Sequence, residues 1–312
     1  MSGKIIPENF KECNLADRIL LTLHLADRRG YGMCPDHISK MLIYGESNEE
    51  QVRQTLSSMH LVSHQNGIYC LKGSEGLLSE TRRKLFSNGV IRERYEAEAM
   101  LFSTEYASLC PFIKCIAITG SMASGGFSED DDIDFNIFTE HGCKYTTYLL
   151  GILLSIKYSV KHRKKSLARK SRTPFLPKLI CINVIWEDEE AFPFVRQDKY
   201  MAYELLRQKP IMGLDFYKKI LEKNSWLETF FPQICNKKSQ EVETRRTSIA
   251  RVLRLIYSNR VLSRLGERMC RKISYLLWRY VQFSRRNNPE ALSRVRWVTE
   301  MQKPYALFGD RI

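Results

Sequence analysis

Between Ile116 and Phe138 the chain reads IAITGSMASGGFSEDDDIDFNIF, and few folds accommodate that run. Ile116 to Thr119 is a β-prone apolar segment halted at Gly120-Ser121, and residues 132–138 then alternate polar and apolar with a period of two. In a strand, residues two apart share a face, so Asp132 and Asp134 stand side by side while Ile133, Phe135 and Ile137 enter a core. Adjacent carboxylates repel at neutral pH, and a bridging divalent cation is the usual reason an apolar strand tolerates them. The expected ion is Mg2+ or Mn2+, held by Asp132 and Asp134; the alternative is an acidic turn over Glu129 to Asp132 that precedes the strand.

The preceding loop supplies a second half-site. A Gly-Ser pair closing a strand lets backbone N–H groups and a hydroxyl approach a phosphate with no Cβ in the way, so Gly120, Ser121 and Ser124 are the expected phosphate contacts. Strand, Gly120-Ser121, ten residues, then Asp132-x-Asp134 inside an apolar strand resembles the signature of the DNA polymerase β-like nucleotidyltransferase superfamily. That resemblance implies an NTP substrate, transfer of its nucleoside monophosphate to an acceptor, and a third carboxylate on the next sheet strand that helps hold metal and takes the acceptor's proton. The next strand is Lys178 to Trp186, KLICINVIW, and it offers Asn183 there. Asn lends a carbonyl oxygen or hydrogen-bonds, but it accepts no proton. Glu187 or Asp188 substitutes only if the strand ends close to the metal site.

Upstream, Asp17 to Arg29 is read as a helix ending at Gly30, and Pro35 opens a second. A third starts at Ser47, with Glu50 completing a capping box. Leu61 to His64 and Ile68 to Leu71 flank Gln65-Asn66-Gly67, a hairpin signal. Together these predict a winged helix-turn-helix. Its third helix offers only Gln51 and Arg53 against Glu49 and Glu50, a poor set for a phosphate-lined groove, so a packing role is preferred to DNA reading. Ser79 to Leu109 is expected to be one connecting helix and Tyr145 to Val160 a core helix. The order of winged helix, long helix, TGSMASG, DDIDFNIF, LICINVIW, YELLRQKPI and EKNSW resembles nucleotidyltransferase-domain proteins of poorly defined acceptor over about residues 15–230. Members resembling this arrangement share the Asn of the third strand. Glu204, Asn224 and Trp226 lie in the last two segments, where helix packing and capping are the expected roles.

The expected class is therefore α+β, divided into a winged-helix-like domain over 1–78, a connector over 79–112, a polymerase β-like mixed sheet with helices over 113–235, and a basic helical region over 236–312. Net charge is +14, and from Glu241 onward 16 Lys and Arg face 6 Asp and Glu, which implies an acidic partner without naming it. A second cluster comprises Lys157, Lys161, Arg163, Lys164, Lys165, Arg169, Lys170 and Arg172, read as a solvated loop or a triphosphate or acceptor contact. Tyr158 is the only aromatic within it, so base stacking is weakly supported, and a small-molecule or protein acceptor is favoured over nucleic acid. In the last region Ile249, Val252, Ile256, Leu262, Leu265, Met269, Ile273, Leu276 and Tyr280 recur at helical spacing, with Arg246, Arg260, Arg264, Arg268, Arg271 and Arg279 largely between them. That pattern is read as a solvated Arg face whose stems cover a core, with a polynucleotide track or an anionic membrane surface as the functional alternatives.

Nine scattered Cys without CxxC spacing suit reduced, buried thiols in the cytoplasm and argue against a zinc site. The chain shows no leader pattern, and its longest apolar stretch, Tyr145 to Ile156, is too short for a transmembrane segment. Two readings stand: a metal-dependent nucleotidyltransferase, and a catalytically degenerate regulator that still binds nucleotide or nucleic acid.

Overall fold

The computed structural model describes residues 13–86, 89–124, 127, 131–162, 179–236, 245–284, 286–287 and 289–308. Three helices open the chain: α1 (Leu15–Asp27), α2 (Pro35–Lys40) and α3 (Glu49–Ser57). Asn14 and Asp17 form a reciprocal capping box at α1, and Pro35 stands in the first turn of α2. At α3 the cap is Asn48, which accepts from the Glu50 N–H, while the Ser47 hydroxyl bonds Gln51; the helix begins two residues after the expected Ser47. Strands β1 (Val62–Gln65) and β2 (Ile68–Leu71) form the hairpin. Its turn residues Asn66 and Gly67 have φ of 53° and 77°, the doubly left-handed turn that Asn-Gly favours. Ile19, Leu23, Ile38, Leu42, Val52 and Leu56 close a core among the three helices.

Helix α4 (Gly76–Phe86) and helix α5 (Gly89–Leu109) occupy the stretch expected to be one helix; residues 87–88 between them lie outside the described set. Next come β3 (Ile113–Thr119), α6 (Gly120–Ala123), β4 (Ile133–Thr139), α7 (Lys144–Lys161), β5 (Ile180–Glu187), α8 (Asp188–Ala191), α9 (Lys199–Arg207), β6 (Lys209–Met212), α10 (Leu214–Lys223), α11 (Trp226–Phe230) and a 3-10 turn, Pro232–Asn236. Four of the strands make one sheet in the order β5-β4-β3-β6. The β3–β4 and β3–β6 pairs are antiparallel and β4–β5 is parallel, so the class is α+β with a mixed sheet.

The alternation along β4 sorts its side chains as the sequence predicts. Ile133, Phe135 and Ile137 are fully buried in a core shared with Phe102 of α5 and Tyr158 of α7. On the opposite face Phe138 joins Trp186, Leu205, Tyr217 and Ile220 in a second core. Asp134 and Asn136 share that opposite face at the end nearer Gly120.

The chain ends in α12 (Ser248–Ser258), α13 (Arg260–Ser284) and α14 (Pro289–Gln302). Here the periodicity is right and the six arginines are exposed as read, but the apolar stripe is not the inward face. All nine apolar residues singled out from Ile249 to Tyr280 are exposed, from 40% at Ile256 to 63% at Met269 and Leu276. The inward face of α13 instead carries Glu267, Cys270 and Ser274. Glu267 accepts from the Tyr145 and Thr146 N–H groups at 2.9 Å each, capping α7, whose own N-cap residue Cys143 makes no side-chain capping bond. Among the described residues no helix is long and apolar enough to cross a membrane.

Candidate functional site

β3 ends at Thr119, opposite Asp134 of β4, and the chain turns sharply at Gly120. Gly120 has φ of +66°, and a Cβ there would collide with Asp134 Oδ2, so the position demands glycine on two counts. The turn backbone therefore lies directly against the Asp134 carboxylate. On the other side of β4, Cys181 of β5 is the parallel partner of Asp134 and projects to the same face. One ligand atom each from Asp132, Asp134 and Cys181 fall within 4.8 Å of one another, and all three side chains are half-buried. Two carboxylate oxygens and a thiol at that separation fit a divalent cation. The oxygens suit Mg2+ or Mn2+, whereas the sulfur favours a softer ion than Mg2+. Cys181 is one of the nine cysteines whose scatter suits reduced, buried thiols. Its phase with Asn183, two residues on, was the available sign that both side chains join Asp134 on one face.

Ser124 has a different task from the expected phosphate contact. It is buried, its hydroxyl donates to Gly120 O at 3.0 Å, and it accepts from Arg207 Nε at 3.0 Å and from Arg207 Nη2. Arg207 Nη2 also donates to Gly120 O at 2.9 Å, so the turn is braced from α9. Ser121 is half-buried and lines the cavity described below.

Glu204, expected to be a packing residue, is buried beneath the same turn. It accepts from Thr119 Oγ1 and from Asn136 Nδ2 at 3.3 Å, and pairs with Arg29 Nη2 at 2.7 Å and Arg207 Nη1 at 3.7 Å. Burial alone would raise its pKa, but Arg29, Arg207 and the two hydrogen bonds outweigh that and hold it near 2. Arg29 comes from the loop between α1 and α2, so the N-terminal module reaches the four-stranded sheet region through Glu204. Nothing in the local sequence of Arg29 or Arg207 marks this convergence, which depends on how the module docks. Asn224 and Trp226 do follow the packing expectation: Asn224 accepts from Phe194 N and Trp226 Nε1 and donates to Ala191 O and Ile220 O.

Asn183 sits on the face of Asp134 and is fully engaged. Its Nδ2 donates to Asn136 Oδ1 at 3.3 Å, while its Oδ1 and backbone O each accept from Gln302 Nε2 at 2.8 Å. The proposed substitutes for a third carboxylate are elsewhere. Glu187 pairs in register with Thr139, five residues beyond Asp134 and so about 16 Å along the strand, and it accepts from Gly142 N and faces His141. Asp188 opens α8 beyond it. Among the described residues Cys181 is the third potential ligand beside the two aspartates.

These groups line a cavity of about 1250 Å3. Its polar wall includes Arg29, Gly120, Ser121, Asp132, Asp134 and Arg207, and its apolar wall includes Ile152 and Ile156 of α7, Trp278 of α13 and Trp297 of α14. Of the second basic cluster, Lys157 pairs with Glu105 and Lys161 approaches Glu98, both on α5. The remaining six, from Arg163 to Arg172, lie outside the described residues. No family model, curated protein or solved structure matches the chain.

Proposed function

We propose that the chain is a metal-dependent nucleotidyltransferase of the polymerase β-like type, moving a nucleoside monophosphate from an NTP to the hydroxyl or amine of a small-molecule or protein acceptor. The observation that carries this reading is the Gly120 turn pressed against Asp134, with Asp132 and Cys181 completing a three-ligand cluster in the wall of a large cavity. A turn without a Cβ admits a polyphosphate close to the aspartates. Asp132 and Asp134 would hold the cation, which when bound neutralises phosphate charge at the transition state.

In this reading the chain's own groups divide the remaining work. Arg207 and Ser124 fix the shape of the Gly120 turn, and Glu204 fixes Arg207 and Arg29. The acceptor attacks the α-phosphorus, the bond to the bridging oxygen breaks, and pyrophosphate leaves with that electron pair. Asn183 holds β5 to β4 and takes no proton. With Asp132 and Asp134 holding the cation, the acceptor's proton leaves to solvent water. The three helices and hairpin at the N-terminus suit a winged helix used for packing. On its third helix the two candidate readers are engaged within the module, Arg53 with Glu49 and Gln51 with the Ser47 hydroxyl.

The test is pyrophosphate release with each NTP, Mg2+ or Mn2+ and a panel of acceptors. Wild-type release that Asp134→Asn reduces by at least about a hundredfold supports the proposal. A second reading, a regulator that binds nucleotide without turnover, is favoured by the engagement of Asn183 with Gln302 and Asn136. Nucleotide binding with no release under any metal would select it.

A further inference from the structure

Arg29 stands on a loop that leaves it little freedom. Gly32, three residues on, donates its N–H to Thr81 Oγ1 at 2.8 Å, and a Cβ on Gly32 would lie 2.8 Å from Ile68 Cγ2 and 2.9 Å from Tyr69 O. Met33 then pairs with Tyr69 through both backbone groups. Tyr31, between them, bonds the Tyr203 hydroxyl and lies under the Arg207 guanidinium at 5.2 Å from its ring centroid. The loop is thus clamped both to the N-terminal hairpin and to α9.

The two arginines flanking Glu204 differ in what remains open. Arg207 is 4% exposed and its guanidinium is committed to Gly120 O, Ser124 Oγ and Glu204. Arg29 is 19% exposed and lines the cavity. Among the described residues its ion-pair partner is a single oxygen of Glu204, through Nη2, whereas a guanidinium carries five N–H donors in a planar fork. A guanidinium whose ion pair uses one nitrogen on a buried carboxylate, on a residue that lines a cavity, keeps further donors with which to take an anion.

We infer that Arg29 is a phosphate-binding residue of the cavity, so that the N-terminal module supplies part of the ligand site of the catalytic sheet. The ligand chemistry is a phosphate group lying between the loop of Arg29 and the turn of Gly120. It belongs either to the NTP or to a phosphorylated acceptor. This inference rests on the nucleotidyltransferase reading for the identity of the first ligand, and it goes further by placing a binding group outside the sheet domain.

Titration calorimetry of the full chain with a non-reacting α,β-methylene NTP and Mn2+, and then with inorganic phosphate added to the nucleotide-loaded protein, tests it. The variants are Arg29→Gln and the double variant Arg29→Gln/Glu204→Gln. The double variant removes the carboxylate that Arg29→Gln leaves short of one guanidinium, while Arg207 keeps its bonds to Gly120 and Ser124. If Arg29 holds a nucleotide phosphate, both variants bind the analogue roughly tenfold to a hundredfold more weakly. If it holds an acceptor phosphate, analogue binding is unchanged and both variants lose the phosphate that the loaded wild type binds. Wild-type affinity for both probes in the double variant overturns the inference, because Arg29 then only neutralises Glu204. Failure of the wild type to bind any triphosphate analogue is a different result: it defeats the nucleotidyltransferase reading and with it the support for this site.

Discussion

Glu204 concentrates more of the site's energetics than any residue that the motifs announce. A buried carboxylate between two guanidinium groups is costly to break from one side, since each remaining charge stays desolvated. Glu204→Gln is expected to lower the unfolding free energy by about 3–5 kcal/mol at pH 7, measured by urea denaturation. The same group sets an acid limb. Its folded pKa is depressed to about 2 from an ordinary 4.5, so its contribution is complete above pH 4.5 and is lost as pH falls from there toward 2. The variant should flatten that limb; a limb of equal slope in both proteins would exclude Glu204 as its source. Cys181 carries a second residue-scale prediction. With the Cys181 sulfur beside two carboxylates, Cd2+ binding that displaces the thiol proton should produce a sulfur-to-metal charge-transfer absorption that Cys181→Ser removes, and Cys181→Asp should shift ion preference from Mn2+ toward Mg2+. Absence of the band in the wild type at saturating Cd2+ would remove Cys181 from the ligand set. Asp132 and Asp134 were legible because a two-residue strand period is a local property. The partners Cys181, Glu204 and Arg29 come from three other segments, and only Cys181 left a trace, in its phase along its own strand.

At the scale of elements, the segments that folded as read are those whose signals are short-range. The Asn66-Gly67 turn fixes its hairpin, and β3 and β4 follow from an apolar run and an alternation. The reading failed on α13, where helical spacing identified the helix but not the side that faces the protein. Its strongest apolar stripe is exposed, and the face that docks on α7 owes its place to polar geometry, above all to Glu267 capping Tyr145 and Thr146. Two substitutions separate these faces. Leu276→Gln on the exposed stripe should change stability by less than about 0.5 kcal/mol. Glu267→Ala, which leaves two amides at the start of α7 without their acceptor, should cost about 1–2 kcal/mol. Thermal unfolding of the two variants reads the contrast, and a larger loss from Leu276→Gln would mean that the stripe is covered in solution.

Across the whole molecule, a chain of polar contacts links both ends of the polypeptide behind the aspartates. Gln302 donates to Asn183, Asn183 to Asn136 and Asn136 to Glu204, which pairs with Arg29. The C-terminal segment is held at a second point as well. Arg196 Nη1 donates to Met301 O at 2.6 Å, and the Arg196 N–H donates to the Tyr305 hydroxyl at 3.2 Å. Tyr305 itself is 5% exposed, with its ring 5.9 Å from that of Phe194 and 6.2 Å from that of Trp186, a strand β5 residue. The segment therefore does two separable things: Tyr305 completes the core on one sheet face, and Gln302 fixes the amide of Asn183. Tyr305→Ala should destabilise the protein by about 3 kcal/mol and red-shift the emission of Trp186 as water reaches the vacated volume. Gln302→Ala, by contrast, removes a half-buried amide whose partner retains its bond to Asn136, and it should cost no more than about 1–2 kcal/mol while leaving Trp186 emission unchanged. Equal losses and equal emission shifts in the two variants would show that the segment leaves as a unit, with Gln302 and Tyr305 acting as a single latch on the sheet.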